Sequence, residues 1–143
     1  MSEHNECLTY SFNVEGENFT SAGEASVQVK RILRRIGFDP DTIKRVSIAM
    51  YEGEINMVIH AGGGTAELYV YEDKIVIKLI DHGPGIADVS LAMQEGFSTA
   101  PDNIRALGFG AGMGLPNMKR YTDEMVIDTK LGEGTTITMT VNV

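Results

Sequence analysis

Three polar side chains recur at four-residue intervals within a largely apolar segment, at Glu52, Asn56 and His60. In a helix this spacing places a carboxylate, an amide and an imidazole along a single face. A carboxylate can take a proton from an attacking hydroxyl, and an amide oxygen is a neutral ligand for Mg²⁺, an ion that binds phosphates. The pattern indicates metal-assisted phosphoryl transfer, although the solvated face of an amphipathic helix has the same spacing.

Two glycine-containing segments offer the remaining parts of a nucleotide site. In DHGPG, residues 81–85, Asp81 follows an apolar strand pattern, and Gly83 and Gly85 permit a close backbone approach. A carboxylate buried there could accept a hydrogen bond from an exocyclic amine, whereas the bare pattern is also typical of a surface turn. In GFGAGMGL, residues 108–115, alternate glycines lead into a helix, and backbone amides in such a loop are suited to phosphate.

Other classes of ligand site are excluded by context. A Rossmann glycine loop directly follows the first strand of a βαβ unit and a Walker loop requires Gly-Lys-Ser/Thr, and the sequence has neither. His4, His60 and His82 have no metal-site spacing, so no transition-metal centre is expected. The single Cys7 can form neither an internal disulfide nor a zinc ligand pair.

The composition is that of an ordinary globular protein. A chain of 143 residues with 43% hydrophobic and 22% charged residues predicts a single domain spanning residues 1–143. The net charge of −8 opposes nucleic-acid binding. Neither an export signal nor an apolar run near the ~18 residues of a membrane span is present, so a cytoplasmic protein without a membrane partner is expected.

Hydrophobic periodicity predicts helices first and then a sheet, which is an α+β two-layer sandwich. Thr20 or Ser21 is expected to cap the first helix and Gly37 to end it, and Asp39 with Pro40 is expected to begin the second. The predicted elements are an edge strand at 8–14, helices at 21–36 and 40–61, a hairpin of 65–71 and 75–80, short helices at 88–93 and 115–121, and strands at 124–129 and 135–141.

In this order along the chain, the three segments resemble the nucleotide-binding boxes of the GHKL ATPases, the superfamily of gyrase, Hsp90, histidine kinases and MutL. The resemblance covers residues 10–141 and includes Gly134-Thr135, which is similar to the superfamily's terminal Gly-Thr motif. It implies the Bergerat ATP-binding fold, with a mixed sheet and helices on one face. It also implies binding of ATP and Mg²⁺ beneath a flexible lid at about residues 94–113.

Length then favours one branch of the superfamily. Gyrase-like, Hsp90-like and MutL-like proteins need a transducer domain, and histidine kinases need a helical hairpin, and 143 residues leave room for neither. The chain therefore resembles the stand-alone anti-sigma-factor serine/threonine kinases. The stretches 95–101 and 112–116 are most similar to the stressosome switch-kinase branch.

The resemblance implies a role for individual residues. Glu52 would be the catalytic base and Asn56 the Mg²⁺ ligand. Asp81 would read adenine, assisted by Gly85 and Thr135, and Gly83 would be a further cofactor-binding residue. Arg105 would lie near the γ-phosphate, and Gly108, Gly110, Gly112 and Gly114 would wrap the phosphates. Met113 and Leu115 would be further cofactor-binding positions.

Several residues keep a second interpretation. Arg105 would equally suit a solvated loop arginine, and Met113 could fill space instead of lining the pocket. His60 could orient the site or be a structural histidine. Glu54 is the rival catalytic base, but its position two residues from Asn56 places it on another side of the helix.

The resemblance implies transfer of the ATP γ-phosphoryl group to a serine or threonine of a STAS-domain regulatory protein. Binding of that substrate would exchange with binding of a sigma factor or a phosphatase. One alternative is an anti-sigma factor that acts mainly by ATP-dependent sequestration of its partner. Another is an ATP-gated conformational switch without phosphotransfer.

Overall fold

The secondary structure follows the predicted order closely. The computed structural model describes residues 7–16, 22–94 and 114–143. Within these ranges the elements are β1 (Leu8–Glu15), α1 (Glu24–Ile36), α2 (Pro40–His60), β2 (Gly63–Val70), β3 (Lys74–Asp81), α3 (Val89–Ala92), α4 (Gly114–Arg120), β4 (Glu124–Lys130) and β5 (Gly134–Asn142). Apart from residue 94, the predicted lid lies outside the described residues.

The five strands form one sheet in the order β1-β2-β3-β5-β4. The predicted edge position of β1 is confirmed. All four pairings are antiparallel, so the sheet is antiparallel rather than mixed. Two of these pairings are hairpins, and strands joined by short turns run antiparallel. The register places Asp81 opposite Thr135, which brings two predicted site residues together across β3 and β5.

Helices α1, α2 and α4 cover one face of the sheet, which confirms the two-layer α+β fold. Burial alternates along β2, β3 and β5, as expected for strands with one face against a core. The fully buried side chains come from both layers, including Leu33 and Met50 of the helices and Ile77 and Met139 of the sheet. No helix in the described ranges is long and apolar enough to cross a membrane.

Local signals set both ends of the α1–α2 connection, as predicted. Gly37 adopts φ 106° and its N–H donates to the carbonyl of Leu33, which closes α1. The carboxylate of Asp39 accepts a hydrogen bond from the backbone N–H of Thr42 at 2.7 Å, and Pro40 is the first residue of α2. The bond to Thr42 lowers the pKa of Asp39, because it favours the charged carboxylate.

The start of α1 differs from the prediction. The helix begins at Glu24, three residues later than expected, and its N-cap, Gly23, makes no side-chain hydrogen bond. Thr20 and Ser21, the predicted caps, lie outside the described residues. The first turn is instead capped by a residue 28–31 positions further along the chain, Glu54.

Glu54 is 3% exposed, and its carboxylate binds the start of α1. One oxygen accepts from the N–H groups of Gly23 and Ala25, both at 3.0 Å, and the other accepts from the N–H of Ser26 at 3.1 Å. These are amides that a helix leaves without an internal partner. Burial raises the pKa of Glu54 although the three hydrogen bonds favour the charged form, and the nearby Glu24 charge adds to the rise.

Candidate functional site

A cavity between α2 and the sheet brings together residues from both halves of the chain. Its lining joins the proposed helix face to the DHGPG segment and to β5. The residues are Gly53, Asn56, Met57, His60, Ala61, Leu79, Asp81, Pro84, Gly85, Ile86, Thr135 and Ile137. Four residues predicted as cofactor-binding, Asn56, Asp81, Gly85 and Thr135, therefore share one cavity.

Asp81, the last residue of β3, is fixed through one of its two carboxylate oxygens. Oδ1 accepts from the N–H of Gly83 at 2.9 Å and from the N–H of Thr135 at 3.1 Å. Among the described residues none donates to Oδ2, so this oxygen is available to a donor on a ligand. Such an arrangement suits an exocyclic amine, because a ligand N–H would complete a carboxylate that the backbone already orients.

The glycines of this segment are required by close backbone contacts. Gly85 has φ 81°, a conformation that side chains rarely adopt, and a Cβ there would lie 2.6 Å from the carbonyl oxygen of Lys130. At Gly83 a Cβ would lie 2.7 Å from Cα of Ala61, at the end of α2. The glycines therefore hold the segment against the β4–β5 turn and against α2.

Thr129 is a residue of this site that sequence reasoning missed. Its hydroxyl accepts from the N–H of Ile86 at 2.9 Å and lies 2.8 Å from the hydroxyl of Thr135. It thereby ties the loop after Gly85 to β5. The alternation of burial along β4 places Thr129 on the inner face of the sheet, and this alternation is the sequence pattern that could have identified it.

Glu52 of α2 is half-buried, and a side chain of α4 binds its carboxylate. Nδ2 of Asn117 donates to Oε2 of Glu52 at 2.9 Å, across 65 residues of sequence. Within the described parts of the chain no donor reaches Oε1. A carboxylate with one oxygen anchored and one open can accept a proton without losing its orientation. Asn117 was not predicted, since a lone asparagine in a short helix carries no signal of its partner.

Asn56 lies one helical turn after Glu52 and faces the start of α4. Its amide oxygen lies 3.9 Å from the position that a Cβ on Gly114 would occupy, so the first residue of α4 approaches it closely. A neutral amide oxygen is a hard donor that suits Mg²⁺, which takes few protein ligands and keeps several waters. The residues present therefore fit the predicted metal.

Gly53 allows α2 to approach the sheet at this point. It is buried, and a Cβ there would overlap the Cδ1 methyl of Leu79 and come within 3.3 Å of Met118. Close packing between α2 and β3 therefore explains why a glycine stands in the middle of this helix. Packing at Gly53 fixes the distance between the α2 backbone and β3, and hence between Asn56 and Asp81.

Two other α2 residues have distinct environments. His60 is half-buried in the cavity lining, and burial lowers the pKa of its imidazole, which favours the neutral form. Glu54, the rival base, has both carboxylate oxygens bound to the start of α1. Glu52 is the carboxylate that shares a helix face with Asn56.

The remaining predicted site residues divide into two groups. Gly114 is the first residue of α4, one residue before the predicted start of this helix, and Leu115 is buried in the hydrophobic core. Arg105, Gly108, Gly110, Gly112 and Met113 lie outside the described residues.

Known proteins are similar to this chain in sequence. The family model described as "Histidine kinase-like ATPase domain" matches residues 18–141. The anti-sigma F factor of Caldanaerobacter subterraneus subsp. tengcongensis is 35% identical, over 70% of this chain and 70% of its own. The serine/threonine-protein kinase RsbT of Bacillus subtilis is 34% identical, over 76% of this chain and 78% of its own. These relatives confirm the resemblance to the GHKL anti-sigma-factor kinases.

Solved structures agree on the fold. The RsbU and RsbW domains of a Mycobacterium tuberculosis protein match with a TM-score of 0.62 at 18% identity, over 94% of this chain and 32% of that chain. The mycobacterial sensor histidine kinase MprB matches with a TM-score of 0.55 at 17% identity, over 94% and 97%.

Proposed function

Since this chain belongs to the histidine kinase-like ATPase domain family, we propose that it transfers the γ-phosphoryl group of MgATP to a serine or threonine of a regulatory protein. Membership implies ATP binding. The observation that carries the proposal is that Glu52, whose carboxylate is anchored, and Asn56 lie on one face of α2. The side chain of Asn56 lines the same cavity as Asp81.

Adenine would occupy the cavity, with its exocyclic amine donating to Oδ2 of Asp81. The backbone bonds to Oδ1 hold that carboxylate in place before the nucleotide arrives. Such preorganisation lowers the cost of ordering the site on binding. Thr135 lies beside Asp81, and Thr129 acts as a positioning residue that holds its hydroxyl.

The phosphates would lie toward the start of α4, where Gly114 leaves room beside Asn56. Asn56 would hold Mg²⁺, which when bound neutralises phosphate charge. The hydroxyl oxygen of the protein substrate attacks the γ-phosphorus, the bond to the β-phosphate oxygen breaks, and ADP leaves. Oε1 of Glu52 accepts the hydroxyl proton, while Asn117 keeps the carboxylate aimed.

The protein substrate would be a STAS-domain regulatory protein, as the sequence resemblance implies, in a partner-switching pathway that controls a sigma factor. The kinase name of the RsbT relative supports phosphotransfer. Other relatives are named anti-sigma F factor, which supports the second candidate, ATP-dependent sequestration of a sigma factor. The similarity of residues 95–101 and 112–116 to the switch-kinase branch favours the first.

The test is a phosphotransfer assay with γ-labelled ATP, Mg²⁺ and purified STAS proteins encoded near the gene. We expect label on a serine or threonine with the wild type and with Glu72→Gln, an exposed control in the β2–β3 turn. We expect none with Glu52→Gln, which should still bind a fluorescent ATP analogue. Equal transfer by Glu52→Gln would exclude Glu52 as the base. Nucleotide binding without transfer by the wild type, together with stable capture of a sigma factor, would favour sequestration.

A further inference from the structure

The exposed side of α1 concentrates positive charge on an acidic protein. Lys30, Arg31, Arg34 and Arg35 are four of the twelve Lys and Arg residues in the chain, whose net charge is −8. All four side chains are exposed. The rest of the chain therefore carries eight basic residues against twenty acidic ones, so this helix differs in sign from its surroundings.

Three of these cations share one helix face with an exposed apolar residue. Val27, Lys30, Arg31 and Arg34 follow the spacing i, i+3, i+4 and i+7, which defines a single face. We refer to these four residues as the α1 basic face. Val27 is 48% exposed, which leaves an apolar side chain beside the three charges.

The four cations of α1 lie close enough to repel one another. Lys30 with Arg34, and Arg31 with Arg35, are four residues apart, and Arg31 with Arg34 are three apart, spacings at which like charges destabilise a helix. In the parts of the chain that the structure describes, none of these side chains forms an ion pair. The cluster therefore costs stability in the isolated protein.

The helix dipole accounts for only half of the cluster. Cations in the last turn of a helix are favourable, and Arg34 and Arg35 lie there. Lys30 and Arg31 lie before the last turn, where the effect of the dipole has largely fallen off. These two cations need a different explanation.

We propose that the α1 basic face binds an acidic segment of a protein partner, with an apolar side chain of that partner against Val27. Charge complementarity between an acidic segment and this face accelerates encounter and fixes orientation. The face is only about 10 Å long, which suits a short peptide segment better than a long polyanion that would meet the surrounding acidic surface. This surface lies outside the proposed nucleotide site and adds to the proposed function.

The variant Lys30→Gln/Arg31→Gln tests the proposal. Glutamine has a helix propensity close to that of Lys and Arg, and the double change removes all three like-charge spacings while keeping the last-turn arginines. Lys44→Gln/Lys119→Gln is the matched control, because it removes two exposed charges on α2 and α4. The probe is a synthetic peptide of alternating Glu and Ala around a central Leu, compared with the same peptide carrying Gln for Glu.

We expect wild type to bind the Glu peptide in preference to the Gln peptide. Lys30→Gln/Arg31→Gln should weaken that binding on the order of fivefold and raise the melting temperature, because like-charge repulsion is lost. The control should keep wild-type affinity, and all variants should bind an ATP analogue equally. Because ATP-analogue binding and peptide binding are measured separately, a result against the proposed nucleotide site is distinguished from a result against the α1 basic face.

Four results would overturn the proposal. One is absence of Glu-peptide binding by wild type, and another is an equal loss of affinity in the control variant. A fall in melting temperature for Lys30→Gln/Arg31→Gln would assign the two cations a structural role. Tighter binding of single-stranded DNA or of phosphatidylserine vesicles than of the peptide would assign the face to a different class of partner.

Discussion

Replacement of Glu54 by glutamine isolates the contact that joins α2 to the start of α1. The wild-type carboxylate accepts three backbone hydrogen bonds at 3.0–3.1 Å and is 3% exposed. Glutamine has nearly the same shape, but one of its two terminal groups is a donor instead of an acceptor. The change therefore tests hydrogen bonding and charge at constant volume.

The expected loss follows from the bonds that glutamine cannot make. If its oxygen keeps the N–H groups of Gly23 and Ala25, the N–H of Ser26 faces a donor. A lost hydrogen bond to a charged group costs about 1.5–3 kcal/mol, and an unsatisfied buried donor costs roughly 1–3 kcal/mol. Removal of a buried charge offsets part of this. We expect a net loss of about 2–3 kcal/mol, or roughly 6–9 °C in Tm for a chain of this size.

The assay is urea unfolding at pH 7 followed by circular dichroism. Glu24→Gln is the control, because this exposed carboxylate in the first turn of α1 contributes through the helix dipole, by less than about 1 kcal/mol. If Glu54→Gln is no less stable than Glu24→Gln, the capping argument is refuted. A stable Glu54→Gln protein that has lost phosphotransfer would identify Glu54, and not Glu52, as the base.

The same pair of proteins gives a dependence on pH. Burial raises the pKa of Glu54 above its ordinary value of 4.5, so the folded state holds this proton more tightly than the unfolded state. The contribution of Glu54 to the free energy of unfolding is fully present below pH 4.5 and is lost as the pH rises through the pKa of the folded state. The advantage of wild type over Glu54→Gln should therefore shrink as pH rises. A constant difference in unfolding free energy would contradict this sign.

Three further outcomes are expected. Asn117→Ala should lower kcat about tenfold with unchanged nucleotide affinity, because the carboxylate of Glu52 loses the hydrogen bond that orients it. An unchanged kcat in the labelled-ATP assay would contradict this. Gly53→Ala should destabilise by about 1–3 kcal/mol in urea unfolding, because overlap with Leu79 outweighs the gain in helix propensity; a stabilised protein would refute the packing argument. Burial lowers the pKa of His60 below 6.5, so its stability contribution should fall as pH drops below 6.5 and through the folded pKa. NMR titration of the imidazole checks this, and His60→Gln should flatten the unfolding profile.

The sequence predicted those features that depend on neighbouring residues. Asp39 with Pro40 fixed the start of α2, because a side chain three residues away satisfies the first amides. The positive φ of Gly37 fixed the end of α1. The strand alternation predicted the inner face of the sheet, whereas the association of Asp81 with Thr135 came only from the family resemblance and their register came only from the structure.

Features that depend on distant residues were not predicted. The start of α1 is set by Glu54 rather than by a local cap. Asn117 reaches Glu52 across 65 residues, and Thr129 binds Ile86 across 43. Each of these contacts forms only when distant parts of the chain have packed together, so no local sequence pattern predicts it.

Residues 52–56 make contacts in several directions at once. Glu52 meets α4, Gly53 meets β3, Glu54 meets the start of α1, and Asn56 faces Gly114. Successive helix residues are rotated by about 100°, so the position of each residue along α2 sets the direction in which its side chain points. An insertion or deletion of a single residue before Glu52 would turn all of these side chains away from their partners together. The length of α2 between Asp39 and Glu52 is therefore constrained even where the identity of its exposed residues is free.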